Sequence, residues 1–75
     1  MTGRTFELLD VVALTDDIPQ RGLVRGQVGT IVETLAKNVF EVEFCDDEWR
    51  TYAMLPLNAL QLLRLVYEPV DAATS

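Results

Sequence analysis

The chain has 75 residues, nearly half of them apolar, and a formal net charge of −6 from six basic and twelve acidic side chains. This length predicts one small domain. Phosphate backbones and anionic lipids repel an acidic surface, so the charge argues against a nucleic-acid or membrane partner. The single cysteine, Cys45, excludes an internal disulfide and fits a reducing compartment.

The domain limits follow from composition at the two ends. We expect a flexible N-terminus over residues 1–6, a single domain over 7–66 and a disordered tail over 67–75, where Pro69 and small polar residues occur. No apolar run reaches the about 18 residues that a membrane-spanning helix needs. The first residues also form no apolar signal core, so we expect a cytoplasmic protein.

The first strand and a long loop make up the first third of the chain. Residues 9–14 are rich in β-branched side chains and predict a strand that becomes buried on both faces. Residues 15–26 predict a loop, because Pro19 cannot donate to a sheet and Gly22 permits a positive φ. We expect its apolar residues Ile18, Leu23 and Val24 to hold the loop against the core.

A glycine pair opens the second strand. Gly26 lies just before the β-branched run 28–35, and Gly29 is its second residue. We expect both to be turn glycines that end the loop and set the register of a hairpin. Asn38 lies in the short connection after this run and can adopt a left-handed conformation.

The third strand has the clearest pattern in the chain. Over residues 39–44, aromatic and β-branched side chains alternate with Glu41 and Glu43. A period of two with charges on one face indicates a half-buried antiparallel strand.

The fourth strand is predicted over residues 49–55, with Pro56 ending it. Trp49 lies on the face that we expect in the core, and an interface role stays open as the alternative. Tyr52 lies on the opposite face, where it is either an exposed aromatic residue or a structural one. For residues 57–67 two interpretations stay open. One is a single helical turn followed by a short fifth strand over 61–65, and the other is a helix, because the leucines also have helical spacing.

The element order predicts an all-β fold, namely a small five-stranded Src-homology-3-like barrel with one short helical turn before the last strand. The centre of the chain also resembles a KOW motif, in which a glycine pair precedes a hydrophobic strand, a short loop and a second strand. Gly26, Gly29, Ile31 and Thr34 fall at its turn and strand positions.

A second resemblance covers residues 7–65. The segment 9–15, the pair Gly22-Leu23, the run 26–33 and the strand at 40–44 resemble the bacterial domain of unknown function family 4926. This resemblance implies a small bacterial protein with a β-barrel fold and brings no catalytic residues. Residues 61–64 carry one leucine more than the usual Gln-Leu-Arg ending of that family.

The chemistry of the side chains argues against an enzyme. The chain has no histidine, which removes the commonest general base and zinc ligand. The acids next to Cys45 disfavour its thiolate. Three consecutive acids without glycine do not match a calcium loop. Glycines that open a strand do not form a phosphate loop. We therefore expect no catalytic residue, no cofactor and no metal.

The remaining hypothesis is a protein-interaction module for a basic partner, in the manner of an immunity protein, an antitoxin or an accessory subunit. Charge steering and an aromatic anchor would act together. The predicted partner-binding residues are Glu41, Glu43, Asp46, Asp47, Glu48, Trp49 and Tyr52. The alternatives are self-association through a strand edge and an RNA- or ribosome-associated KOW-like protein.

Overall fold

The structure is a computed structural model that describes residues 6–66. Five strands form one antiparallel sheet in the order β4-β3-β2-β1-β5. The strands are β1 (Val11–Leu14), β2 (Val28–Ala36), β3 (Val39–Cys45), β4 (Thr51–Asn58) and β5 (Leu62–Arg64). Single 3-10 turns, Pro19–Arg21 and Ala59–Gln61, lie in the long loop and before β5.

This architecture confirms the all-β prediction with five strands and one helical turn before the last. The described sheet is open, because β4 and β5 are its two edges, so the barrel itself is not confirmed.

No helix in residues 6–66 is long and apolar enough to cross a membrane. The predicted tail 67–75 and the first five residues of the predicted flexible segment lie outside the described residues. Phe6 packs its ring 5.5 Å from that of Phe40.

One face of the sheet carries the core. The strict alternation predicted for β3 is confirmed, since Phe40, Val42 and Phe44 are all buried. In β1 three consecutive residues, 12–14, are buried, as the sequence predicts. The buried core consists of Val12, Leu14, Ile18, Leu23, Ile31, Phe40, Val42, Phe44, Leu55, Leu57 and Leu62.

The long loop is held down by two of the three predicted residues. Ile18 and Leu23 are buried and pair with each other as an isolated β-bridge, whereas Val24 is 56% exposed. Gly22 and Gly26 have φ values of 71° and 93°, which confirms their predicted role as turn glycines.

Gly29 is not a turn residue, and the prediction is wrong there. It lies inside β2, opposite Val12 of β1, and its φ is not positive. A Cβ at this position would lie 2.8 Å from Val42 Cγ1, 2.9 Å from the Glu43 carbonyl oxygen and 3.0 Å from Phe44 Cδ2. Glycine is needed at residue 29 because β3 packs too closely for any side chain.

Pro56 does not end the fourth strand, which continues through it to Asn58. Its partner in the register is Glu41. Proline is tolerated here because β4 is an edge strand, one side of which has no ladder partner in the described sheet.

The turn-plus-strand interpretation of the C-terminal part is confirmed within the described residues. The Asn58 side chain accepts a hydrogen bond from the Leu60 amide (2.9 Å), and the Gln61 side chain accepts one from the Asn58 amide (3.0 Å). This capping box starts the 3-10 turn at Asn58, and Leu62, whose backbone is extended, ends it after one turn. Leu62 then enters β5 and is buried in the core.

Candidate partner-binding surface

The acidic turn between β3 and β4 is organised by the carboxylate of Asp46. Its Oδ1 accepts hydrogen bonds from the amides of Glu48 (2.8 Å) and Arg50 (3.0 Å). Its Oδ2 accepts one from the Arg50 Nε (3.2 Å), and the Arg50 guanidinium also pairs with Glu48 (3.0 Å). The Asp46 amide in turn donates to the Arg50 carbonyl oxygen (2.9 Å). These contacts close the turn on itself, so the acids are part of a defined surface.

The same contacts lower the pKa of Asp46 below its ordinary value of 3.8. The Arg50 amide, which donates to the ionised carboxylate, is the largest cause, and partial desolvation opposes it. The Glu48 amide and the Arg50 side chain act in the same direction as the first cause. Asp46 is therefore ionised throughout the physiological pH range.

Trp49 is the most prominent side chain of this turn, and the prediction that it lies in the core is wrong. Its side chain is 86% exposed and its backbone is left-handed, with a φ of 64°. The predicted alternation fails because the β3–β4 register shifts between Phe44 and Cys45, and β4 begins only at Thr51. Its position directly after the acids Asp46, Asp47 and Glu48 is the sequence signal for a turn rather than a strand.

A groove runs beside Trp49 along the side of the sheet opposite the core. Its volume is about 640 Å³. It is lined by Val11, Val28, Gly29, Thr30, Glu43, Cys45, Asp46, Asp47 and Trp49. We call it the Trp49 groove. Four of the predicted partner-binding residues, Glu43, Asp46, Asp47 and Trp49, meet there.

Among residues 6–66, the lining of the Trp49 groove includes three acidic side chains and no basic one. Arg50, the nearest cation in sequence, is engaged by Asp46 and Glu48. The Glu43 carboxylate accepts a hydrogen bond from the Thr51 hydroxyl, which fixes its position. A cationic group that enters the groove would thus meet preorganised acceptors.

The other predicted residues lie outside this groove. Glu41 stands directly opposite Glu33 in the β2–β3 register, and like charges at such positions repel each other. Within residues 6–66, neither of these glutamates forms an ion pair. Glu48 and Tyr52 line a second, shallower depression of about 420 Å³ together with Arg50.

Tyr52 has a structural role. Its hydroxyl accepts a hydrogen bond from Gln27 Nε2 (2.8 Å), and its ring centroid lies 6.3 Å from that of Phe44. The side chain is still 48% exposed. Tyr52 therefore ties the end of the long loop to β4 and offers only part of its ring to a partner.

The apolar part of the Trp49 groove was also missed from sequence. Val28 is 45% exposed although it belongs to a β-branched strand, and Val11 and Thr30 face each other in the β1–β2 register. The available signal was alternation, because these residues flank the buried positions Val12 and Gly29 in their strands.

Two features of residues 6–66 bear on catalysis. No group of three or more acidic or cysteine side chains in residues 6–66 is arranged to hold a metal ion. The Cys45 sulfur is partly buried and lies 3.8 Å from the Thr51 hydroxyl oxygen. A hydroxyl does not act as a general base for a thiol at neutral pH, so this pair does not form a nucleophilic site.

The model of a protein family described as "Domain of unknown function (DUF4926)" matches residues 8–64. The match spans all five strands and the acidic turn, and it confirms the resemblance noted from the sequence. None of the curated proteins and none of the solved structures compared with the chain matches it.

Proposed function

This chain belongs to the DUF4926 family, whose description names no activity, and from its surface we propose that it is a non-enzymatic interaction module for a basic protein. It would act in the bacterial cytoplasm, as an immunity-like or antitoxin-like protein or as an accessory subunit. The Src-homology-3-like barrel belongs to the same proposal. It is supported by the single 3-10 turn that joins the two edge strands.

The observation that carries this proposal is Trp49, which stands 86% exposed on a turn of three acids. Tryptophan is the residue most typical of binding hot spots, because it buries a large surface at small entropic cost. The surrounding carboxylates attract a basic surface over distance and repel acidic ones. The tryptophan would therefore supply affinity, and the charges would supply steering and selectivity.

The absence of histidine from the chain and the absence of a metal-holding cluster from residues 6–66 support a binding role rather than catalysis. The net charge of −6 also favours a protein partner over RNA. A basic protein, by contrast, gains from every carboxylate that faces it.

The test is affinity capture with the tagged chain from its own cells, followed by binding measurements with the purified partner. We expect one stoichiometric protein of high isoelectric point. Glu41→Lys combined with Glu43→Lys should weaken binding at least about tenfold, which corresponds to about 1.4 kcal/mol. The matched control is Glu7→Lys combined with Asp16→Lys, which changes the net charge equally at exposed positions outside strands β1–β5.

Equal loss of binding in both variants would mean that only net charge matters and would contradict a defined surface. Binding of tRNA at low salt, with a steep decrease as salt rises, would support the KOW-like alternative instead. Circular dichroism of both variants checks that the sheet is intact.

A further inference from the structure

Part of the lining of the Trp49 groove is apolar, and its volume of about 640 Å³ accommodates an extended side chain. The exposed indole of Trp49 forms one wall, and Val11 and Val28 belong to strands β1 and β2 on the other side. Between them the backbone of Gly29 lines the groove. Such a channel suits an aliphatic chain of three or four carbons, which gains free energy from each methylene that leaves water.

The acidic end of the groove holds two carboxylates that differ from Asp46 in their contacts. Both oxygens of Asp46 are used by donors of the turn itself. Glu43 has one oxygen engaged by the Thr51 hydroxyl and keeps the other. Asp47 accepts no hydrogen bond from the described residues. Glu43 and Asp47 are thus the acceptors that an incoming cation would find.

An aromatic wall, an aliphatic wall and two carboxylates together match the chemistry of an arginine side chain. We propose that the Trp49 groove binds an arginine that the basic partner projects, which specifies the partner chemistry of the function proposed above and rests on it. The guanidinium stacks on the indole face, its stem lies along Val28, and its donors reach Glu43 and Asp47.

Arginine fits this groove better than lysine. A guanidinium is planar and weakly hydrated, so it stacks on an indole and still presents several donors in its plane to two carboxylates. An ammonium is a strongly hydrated point charge that loses more hydration when it enters a partly apolar channel. A second copy of the chain is disfavoured as occupant, because each copy carries a net charge of −6.

The test uses an NMR titration of the 15N-labelled full chain with three synthetic peptides. They share a short Gly/Ser-flanked sequence and carry arginine, lysine or citrulline at the centre. Citrulline keeps the shape of arginine and removes its charge. We expect the arginine peptide to shift the indole signal of Trp49 and the amide signals of residues 28–30, with binding at least about tenfold tighter than that of citrulline.

Two charge-matched variants identify the acceptor. Asp47→Asn should weaken binding of the arginine peptide severalfold, whereas Asp16→Asn, which removes the same charge from the long loop, should leave it unchanged. Trp49→Ala should abolish binding, and its amide spectrum shows whether the sheet is intact. Because the indole is so exposed, the fold does not depend on it.

Equal binding of the citrulline and arginine peptides would overturn the proposal, because the groove would then recognise apolar shape alone. The absence of shifts at millimolar arginine peptide would also overturn it. Shifts of Trp49 that depend on protein concentration without peptide would identify a second copy as the occupant.

The same variants separate this inference from the wider function. If a basic partner is captured, and Trp49→Ala weakens its binding while Asp47→Asn leaves it unchanged, the arginine site is wrong while the interaction module stands. If no basic partner is captured at all, the proposed function itself fails.

Discussion

Replacing Gly29 with alanine tests the close approach of β2 and β3 directly. The new methyl carbon would lie 2.8, 2.9 and 3.0 Å from its three nearest neighbours, one of which is the Glu43 carbonyl oxygen. Favourable carbon contacts lie at about 3.5–4.0 Å. A carbonyl oxygen cannot move by a change of rotamer, so the two strands must separate or bend. Overpacking of this kind costs about 1–3 kcal/mol, and the backbone contact places Gly29→Ala in the upper half of that range.

Thermal unfolding followed by circular dichroism gives the measurement. For a domain of 60–100 residues each kcal/mol lowers the melting temperature by about 4–8 °C, so we expect a decrease of roughly 10–20 °C. The matched control is Gly22→Ala. Residue 22 has a φ of 71° and open space around a Cβ, so this variant carries only the left-handed penalty of about 1–2 kcal/mol. If Gly29→Ala melted at or above the temperature of Gly22→Ala, the steric explanation of Gly29 would be refuted.

Three further predictions concern single residues. Gly26→Ala should cost about 1 kcal/mol or more in urea unfolding, because its φ of 93° strains any L-residue, and partner binding should be unchanged. Tyr52→Phe should cost about 1 kcal/mol, because the Gln27 amide loses its acceptor; an unchanged free energy of unfolding would show that water replaces it. A carboxyl NMR titration should give Asp46 a pKa below 3.8. Because folding lowers the pKa of Asp46, its ionised carboxylate stabilises the fold fully at any pH above the pKa of the unfolded chain. This stabilisation is lost as the pH falls through the pKa of the folded chain. Asp46→Asn should therefore differ from the parent in stability at neutral pH and converge with it in acid, and a constant difference would contradict this linkage.

Local patterns were sufficient for the elements whose environment repeats along the chain. Strand β3 is predicted from alternation alone, because every second side chain from Val39 to Phe44 is buried and the others are partly exposed. The turn glycines Gly22 and Gly26 follow from the loop composition around them. These features depend on neighbours in sequence, and a sequence pattern reports such neighbours.

The wrong predictions concern properties of the whole sheet. A strand tolerates proline when it lies at the edge of the sheet, and the sequence around Pro56 does not show whether its strand is an edge. The need for glycine at residue 29 depends on how closely residues 42–44 of β3 approach it. The exposure of Trp49 depends on a one-residue register shift in β3–β4 pairing.

One part of the candidate site could be predicted from the sequence, and another part could not. Its charges were predicted, because four acids and a tryptophan cluster within residues 43–49 of the sequence. Its apolar wall was not predicted, because Val28 approaches the acidic turn only through the pairing of β2 with β3, and Val11 only through that of β1 with β2. Whether a valine faces the core or the solvent is set by that register and not by its own hydrophobicity.

The pairing of β1 with β5 has a consequence for how the chain reaches this structure. Strands β2, β3 and β4 follow each other as two hairpins, whereas Val12 of β1 pairs with Arg64 near the end of the described chain. Loop-closure entropy delays such a distant contact, so we expect the three-stranded meander to form first and β5 to dock last. Substitutions in β5 should then accelerate unfolding and leave the refolding rate almost unchanged. The acidic turn would be complete in the meander, whereas the Trp49 groove exists only after β1 has docked beside β2.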